Sequence, residues 1–182
     1  CRGGRGEFWW DELEGLLLAD PTVEEGAGAW DVLRPPVSPR QQAYLDACNL
    51  LRPLPKGERE RELERLRASA GGKALARELF RGLTEDELRG LELPGLLDIG
   101  GHTRSHAQLS RLPVEQQREE IQGGAQLLAR CLGHGVETFS YPFGTSADFT
   151  SQTAELAREA GFRVACANYP DFAQERTDPM AL

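Results

Sequence analysis

Asp98-Ile99-Gly100-Gly101-His102-Thr103-Arg104-Ser105-His106 is the stretch whose reading decides the fold. Histidines four residues apart fall on one face of a helical turn, where two imidazoles can converge on a single metal ion. The residues before them, Leu96-Leu97-Asp98-Ile99, are short and apolar and predict a buried strand. Gly100 and Gly101 then allow the backbone to turn sharply at the strand's end. In parallel α/β folds that end is where ligands and catalytic groups collect. A bare His-x-x-x-His spacing also arises by chance. The plain alternative is a pair of helix-start histidines beside Thr103 and Ser105, which are ordinary cap residues. The strand and the glycine pair favour a metal, as does the count: these are two of only 3 histidines in the chain.

Downstream, the chain alternates between helix and strand. Pro113 opens a long helix with Val114, Ile121, Ala125, Leu128 and Leu132 on one face, closed by Gly133. Val136 to Ser140 reads as the next strand, a helix follows from about Ser151 to Ala160 and ends at Gly161, and Phe162 to Ala167 reads as a further strand. Such alternation implies βαβ units in a parallel sheet or barrel. His134, between two glycines after a helix, reads as a C-cap turn where a polar group suits the helix dipole.

Upstream the pattern is helical. Trp9 to Ala19 is amphipathic and stops at Asp20-Pro21, and the Gly/Pro-rich stretch from Gly26 to Pro39 is a connector. Ser38-Pro39-Arg40-Gln41 matches a capping box, so a helix starts there and runs to about Leu51 with Tyr44, Leu45, Cys48 and Leu51 on its apolar face. Glu58 to Ala70 is a charged helix with a narrow Leu63/Leu66 stripe, and its Glu and Arg read as a solvated face. A shorter helix is expected over Lys73 to Arg81, and Thr84-Glu85-Asp86-Glu87 caps another to about Leu91.

The 182 residues suffice for one domain of ordinary size, and 40% hydrophobic with 27% charged content describes a globular chain. No stretch approaches the ~18–20 apolar residues of a membrane span. A net charge of −8, with basic residues alternating with acids, argues against a nucleic-acid surface. Cys1, Cys48, Cys131 and Cys166 are scattered without zinc-ribbon or redox-motif spacing, and the last three are expected as buried free thiols that assign no compartment. The chain begins on Cys1 without a visible signal peptide and stops at Asp178-Pro179-Met180-Ala181-Leu182 without a closing helix or strand. It is therefore expected to be an internal piece of a longer protein.

Phe139-Ser140-Tyr141-Pro142-Phe143-Gly144 has a plain reading as a proline turn with an aromatic plug. Its functional reading places the Phe143 amide in a site, where it could stabilise an oxyanion. Together, Gly101-His102-Thr103-Arg104-Ser105-His106 and this segment resemble the second and third motifs of the polysaccharide deacetylases, the NodB-homology carbohydrate esterases. The resemblance covers roughly Thr84 to Asn168, and Glu7-Phe8-Trp9-Trp10-Asp11-Glu12-Leu13 more weakly resembles a helical insertion in some members. It implies an α/β fold, a partial (β/α) barrel with a helical insertion: residues 1–92 as the mainly helical region and 93–182 as the βα units. It implies a hydrolase that removes N-acetyl or O-acetyl groups from a polysaccharide or glycan. By this resemblance His102 and His106 are ligands of a divalent metal, commonly zinc, and the Phe143 amide is an oxyanion donor. Tyr141 and Pro142 contact substrate, while Thr103 and Ser105 orient the turn.

The chain also departs from the family pattern. The first motif, Thr-Phe-Asp-Asp-Gly, is absent from residues 1 to 95, and with it the aspartate ligand and the aspartate general base. Ser140 replaces the arginine often found in the third motif, and no histidine follows Asn168 to act as general acid. The isolated chain is accordingly expected to be inactive or nearly so, since two histidines fall short of the three protein ligands of a catalytic zinc. Two rivals remain: a non-catalytic carbohydrate-binding or scaffold protein that keeps this fold, and a helical interaction protein using the charged first half.

Overall fold

The computed structural model describes residues 6–18, 34–70, 77–93, 95–169, 172 and 174–182. They divide into two compact units, Gly4–Gly82 and Leu83–Leu182.

The first unit packs three helices, α1 (Trp9–Leu17), α2 (Pro39–Leu51) and α3 (Lys56–Ser69), around Leu13, Tyr44, Leu51 and Leu63. The capping box of α2 forms as the sequence predicts: Gln41 N–H donates to Ser38 Oγ at 3.3 Å, and Ser38 N–H donates to Gln41 Oε1 at 3.1 Å. The charged helix departs from its expected solvated face. Arg59 is buried and lies over the Trp9 ring, and Arg67 makes a two-pronged pair with Glu12 of α1. The arginine stems cover apolar surface while the guanidinium groups meet partners on a neighbouring helix. The helix expected over Lys73–Arg81 falls partly outside the described residues. Its described end is one 3-10 turn, Glu78–Phe80, and then Arg81 bridges antiparallel to Glu7. Arg77 is extended here, its guanidinium donating to Glu7 at 2.9 Å and to Glu14 at 3.1 Å.

The second unit begins with α4 (Glu85–Glu92), capped by Thr84 and Glu87, and continues through α5 (Val114–Leu132), β1 (Thr138–Ser140), α6 (Ser151–Glu159) and β2 (Val164–Cys166). Gly133, at φ +87°, ends α5 in the left-handed conformation that a residue with a Cβ avoids. β1 and β2 are parallel, with Phe139 opposite Ala165. The α6 crossover between them makes the βαβ unit, so the second unit is α/β as the alternation predicts. Its core gathers Leu109, Ile121, Phe139, Tyr141, Leu156, Ala157, Phe162, Ala165 and Met180.

Two sequence expectations are corrected, one on the strand and one on the thiols. Leu96–Ile99 is not a buried strand: Leu96 is 85% exposed and Leu97 53%, and pairing begins only at Gly101, which bridges to Phe139. As expected, no helix or strand follows β2 among the described residues, yet the tail hydrogen-bonds to that strand. Pro179 O accepts from Ala165 N–H at 2.8 Å, and Leu182 N–H donates to Ala165 O at 3.0 Å, so residues 179–182 run beside β2. Of the thiols, Cys131 is buried, Cys48 half-buried and Cys166 exposed, all three free; Cys1 lies outside the described residues.

Candidate metal centre and catalytic turn

The site grows from the edge of the sheet. Gly101 N–H donates to Thr138 O at 2.8 Å and Gly101 O accepts from Ser140 N–H at 2.9 Å, which seats the loop against β1. The next residue, His102, turns its ring back onto the same strand, with Nδ1 2.8 Å from Ser140 O. A carbonyl oxygen only accepts, so Nδ1 carries the proton and, in the neutral ring, Nε2 holds the free lone pair. In metal sites a contact of this kind fixes the tautomer of a ligating histidine.

His102 and His106 do converge, with ring centroids 4.7 Å apart and planes at 72°. The route differs from the helical turn the spacing predicts. Thr103 (φ +63°) and His106 (φ +55°) are left-handed, and residues 102–106 form a bent loop. Glu120 of α5 draws the loop round: its Oε2 accepts the amides of Arg104 at 3.0 Å and Ser105 at 2.7 Å, and its Oε1 accepts Ser105 Oγ at 2.7 Å. His106 N–H donates to Thr103 Oγ1 at 3.0 Å. Thr103 and Ser105 thus orient the turn, as the resemblance implies. The loop can lie this close because α5 carries a glycine there; a Cβ on Gly124 would stand 3.0 Å from the Thr103 carbonyl carbon.

Phe143 is the third left-handed non-glycine residue among those described, at φ +64°. Gly144 N–H donates to Pro142 O at 2.7 Å, closing a three-residue turn over Phe143 in the rarer positive-φ form. Left-handed residues confined to this one site match the usual clustering of backbone strain at functional positions. The Phe143 ring stands edge-on to His106, centroids 4.8 Å apart. Asn168, past β2, donates through Nδ2 to Phe143 O at 3.2 Å and through its amide to Gly144 O at 2.8 Å. Buried Asp148 accepts from Thr145 N–H at 2.9 Å and from Gln108 Nε2 at 2.8 Å, tying this turn to the stretch after His106.

Tyr141 and Pro142, which the resemblance reads as substrate contacts, have their side chains in the core. Both side chains are buried; the Tyr141 hydroxyl donates to Met180 O at 2.8 Å, and its ring stacks on Phe149. Burial pushes the Tyr141 phenol up from its usual value. These side chains support the turn from inside the core. His134 is a structural residue, as the sequence reading has it. Its Nδ1 and Nε2 face Gly135 O at 3.0 Å and Glu92 at 2.7 Å, joining the end of α5 to α4.

The donor set suits a borderline divalent ion. Two imidazoles bound to one zinc at ~2.0–2.1 Å place their ring centres roughly 5 Å apart, close to the 4.7 Å seen here. His106 Nδ1 is sheltered from solvent, while His102 is exposed. Among the described residues no group of three or more His, Cys, Asp or Glu is placed to hold a metal. Glu120, Asn168 and Asp148 escape sequence reading, because each acts through a partner at least fifteen residues away. One signal pointed to Glu120: Gly123-Gly124 inside a helix costs stability unless something approaches closely.

The family model for polysaccharide deacetylase matches residues 57–165. Among solved structures, the Streptococcus pyogenes deacetylase PplD in complex with acetate superposes with a TM-score of 0.51 at 17% identity, covering 56% of this chain and 43% of that one. A polysaccharide deacetylase from Bacillus cereus gives a TM-score of 0.49 at 20% identity over 56% of this chain and 31% of that one. The chain thus spans less than half the length of either. No curated protein matches it. Among the described residues no helix is long and apolar enough to cross a membrane. With more than half of its length matched by the family model, the chain belongs to the polysaccharide deacetylase family, and its βα units are a partial barrel of that type.

Proposed function

We propose that the chain serves metal-dependent hydrolysis of N-acetyl or O-acetyl groups on a polysaccharide or glycan, with His102 and His106 as two ligands of a divalent ion, zinc by preference. The observation that carries this reading is the 4.7 Å convergence of the two rings, with His102 Nδ1 committed to Ser140 O. A bound ion of this class supplies Lewis acidity, which polarises the acetyl carbonyl and acidifies water. The rest falls to the chain. Ser140 O orients His102, and the Phe143 amide donates to the oxygen that gains charge as the acetyl carbon becomes tetrahedral. Asn168 holds the Phe143 carbonyl, on the peptide that follows that amide. Tyr141 and Pro142 stiffen the turn from below.

A third protein ligand and a general base must come from carboxylates other than this pair of histidines. The helical region, residues 1–92, we read as an insertion ahead of the βα units, 93–182.

Titration with Co²⁺ tests the ligand pair directly. The expected result is a visible d–d absorption at one equivalent, lost in His102→Ala and in His106→Ala. The zinc-loaded 182-residue chain should release little or no acetate from N-acetylglucosamine oligomers. Rapid turnover would overturn the claim that the base lies elsewhere. Oligosaccharide binding without any cobalt spectrum would replace this reading with the non-catalytic one.

A further inference from the structure

We infer that Glu120 is a positioning residue for the metal centre, holding the 102–106 loop in the shape that brings the two imidazoles together. The inference rests on the ligand roles proposed above for His102 and His106. It starts from an imbalance. The loop carries two left-handed residues, Thr103 and His106, neither of them glycine. Each such conformation costs energy and persists only where the surroundings impose it. Within the loop itself His106 N–H donates to Thr103 Oγ1. From outside, a single carboxylate takes three hydrogen bonds: the amides of Arg104 and Ser105 and the Ser105 hydroxyl.

Two consecutive amides can meet one oxygen only if the backbone curls to aim both N–H vectors inward. That curl lies between the two histidines. Glu120 is also rigidly borne. It sits on the nineteen-residue α5, whose Ile121 is fully buried in the core, and one turn further on Gly124 lets the Thr103 carbonyl approach the helix. The carboxylate therefore transmits the position of α5 to the spacing of the imidazoles. Charged acceptors give the stronger hydrogen bonds, yet the arrangement needs acceptor positions more than charge. A glutamine could accept both amides on its oxygen while its NH₂ donates to Ser105 Oγ, the hydroxyl reversing from donor to acceptor.

The test separates this claim from the ligand roles. Glu120→Ala and Glu120→Gln are compared with the unaltered chain by nuclear Overhauser contacts between the His102 and His106 ring protons, by thermal midpoint, and by Co²⁺ affinity. In Glu120→Ala the ring-to-ring contact should vanish and the affinity should fall ~10–100-fold, the usual effect of losing an outer-shell partner. Glu120→Gln should restore both. Ring contacts that persist in a folded Glu120→Ala would overturn the inference whether or not metal binds. A Glu120→Gln as defective as Glu120→Ala would overturn it too, by showing that charge matters rather than acceptor placement. If Glu120→Ala does not fold, Ser105→Ala, which removes one of the three bonds, should weaken cobalt binding while leaving the thermal midpoint close to the parent's; unchanged cobalt affinity in folded Ser105→Ala would count against the inference. If the unaltered chain binds no cobalt, the ligand roles fall and the ring contacts alone judge Glu120.

Discussion

Gly101→Ala should destabilise the βα unit because the residue is hemmed in on two sides. A Cβ at that position would stand 2.6 Å from Phe162 Cζ, 2.9 Å from Phe162 Cε1 and 3.1 Å from Phe139 Cδ2. Carbon atoms rest ~3.5–4.0 Å apart, so one side must retreat by about 1 Å. The rings cannot: Phe162 is 3% exposed and Phe139 2%, and they pack on each other at 4.9 Å. The backbone of Gly101 is held as firmly, by its bonds to Thr138 and Ser140. Overpacking of this kind costs ~1–3 kcal/mol. The reduced freedom of alanine in the unfolded chain offsets ~0.4–1 kcal/mol of that, leaving a net loss of about 1–2 kcal/mol. For a unit of this size each kcal/mol moves the midpoint by ~4–8 °C, so thermal unfolding followed by near-ultraviolet circular dichroism should show a drop of roughly 5–15 °C. Gly90 on α4 has nothing near a Cβ, and there Ala should add ~0.5–1 kcal/mol through helix propensity. A Gly101→Ala midpoint equal to the parent's would refute the packing argument.

Two further perturbations follow. His134 is held above its ordinary 6.5, first by the Gly135 carbonyl and then by Glu92. A raised folded-state value stabilises fully below the unfolded pKa, and the effect is lost as pH rises through the folded value. The deficit of His134→Ala in thermal midpoint should therefore be full below about pH 6.5 and shrink as pH rises above it, and a constant deficit would count against it. Thr153 is fully buried and donates to Gln117 Oε1 at 2.7 Å. Thr153→Val leaves that oxygen without a donor and should cost ~1–3 kcal/mol in urea unfolding; a neutral substitution would show that the contact is dispensable.

The sequence by itself determined whatever is settled within one turn of chain. The caps Ser38/Gln41 and Thr84/Glu87 and the stop at Gly133 were legible because donor and acceptor lie within four residues of each other. The alternation of helix and strand announced parallel β1 and β2, and the motif singled out His102 and His106 as neighbours, although neither contact is settled within one turn. Tertiary structure decided which surfaces are covered. Leu96 and Leu97 have the composition of a buried strand and lie open, while Tyr141 and Pro142 look like a binding edge and lie in the core. The bend that joins the histidines is not helical at all; it is imposed by Glu120, fifteen residues from Ser105 in sequence. Asn168 reaches Phe143 and Pro179 reaches Ala165 across similar gaps. Burial and long-range hydrogen bonds depend on which segments meet, and local sequence pattern carries no record of that meeting.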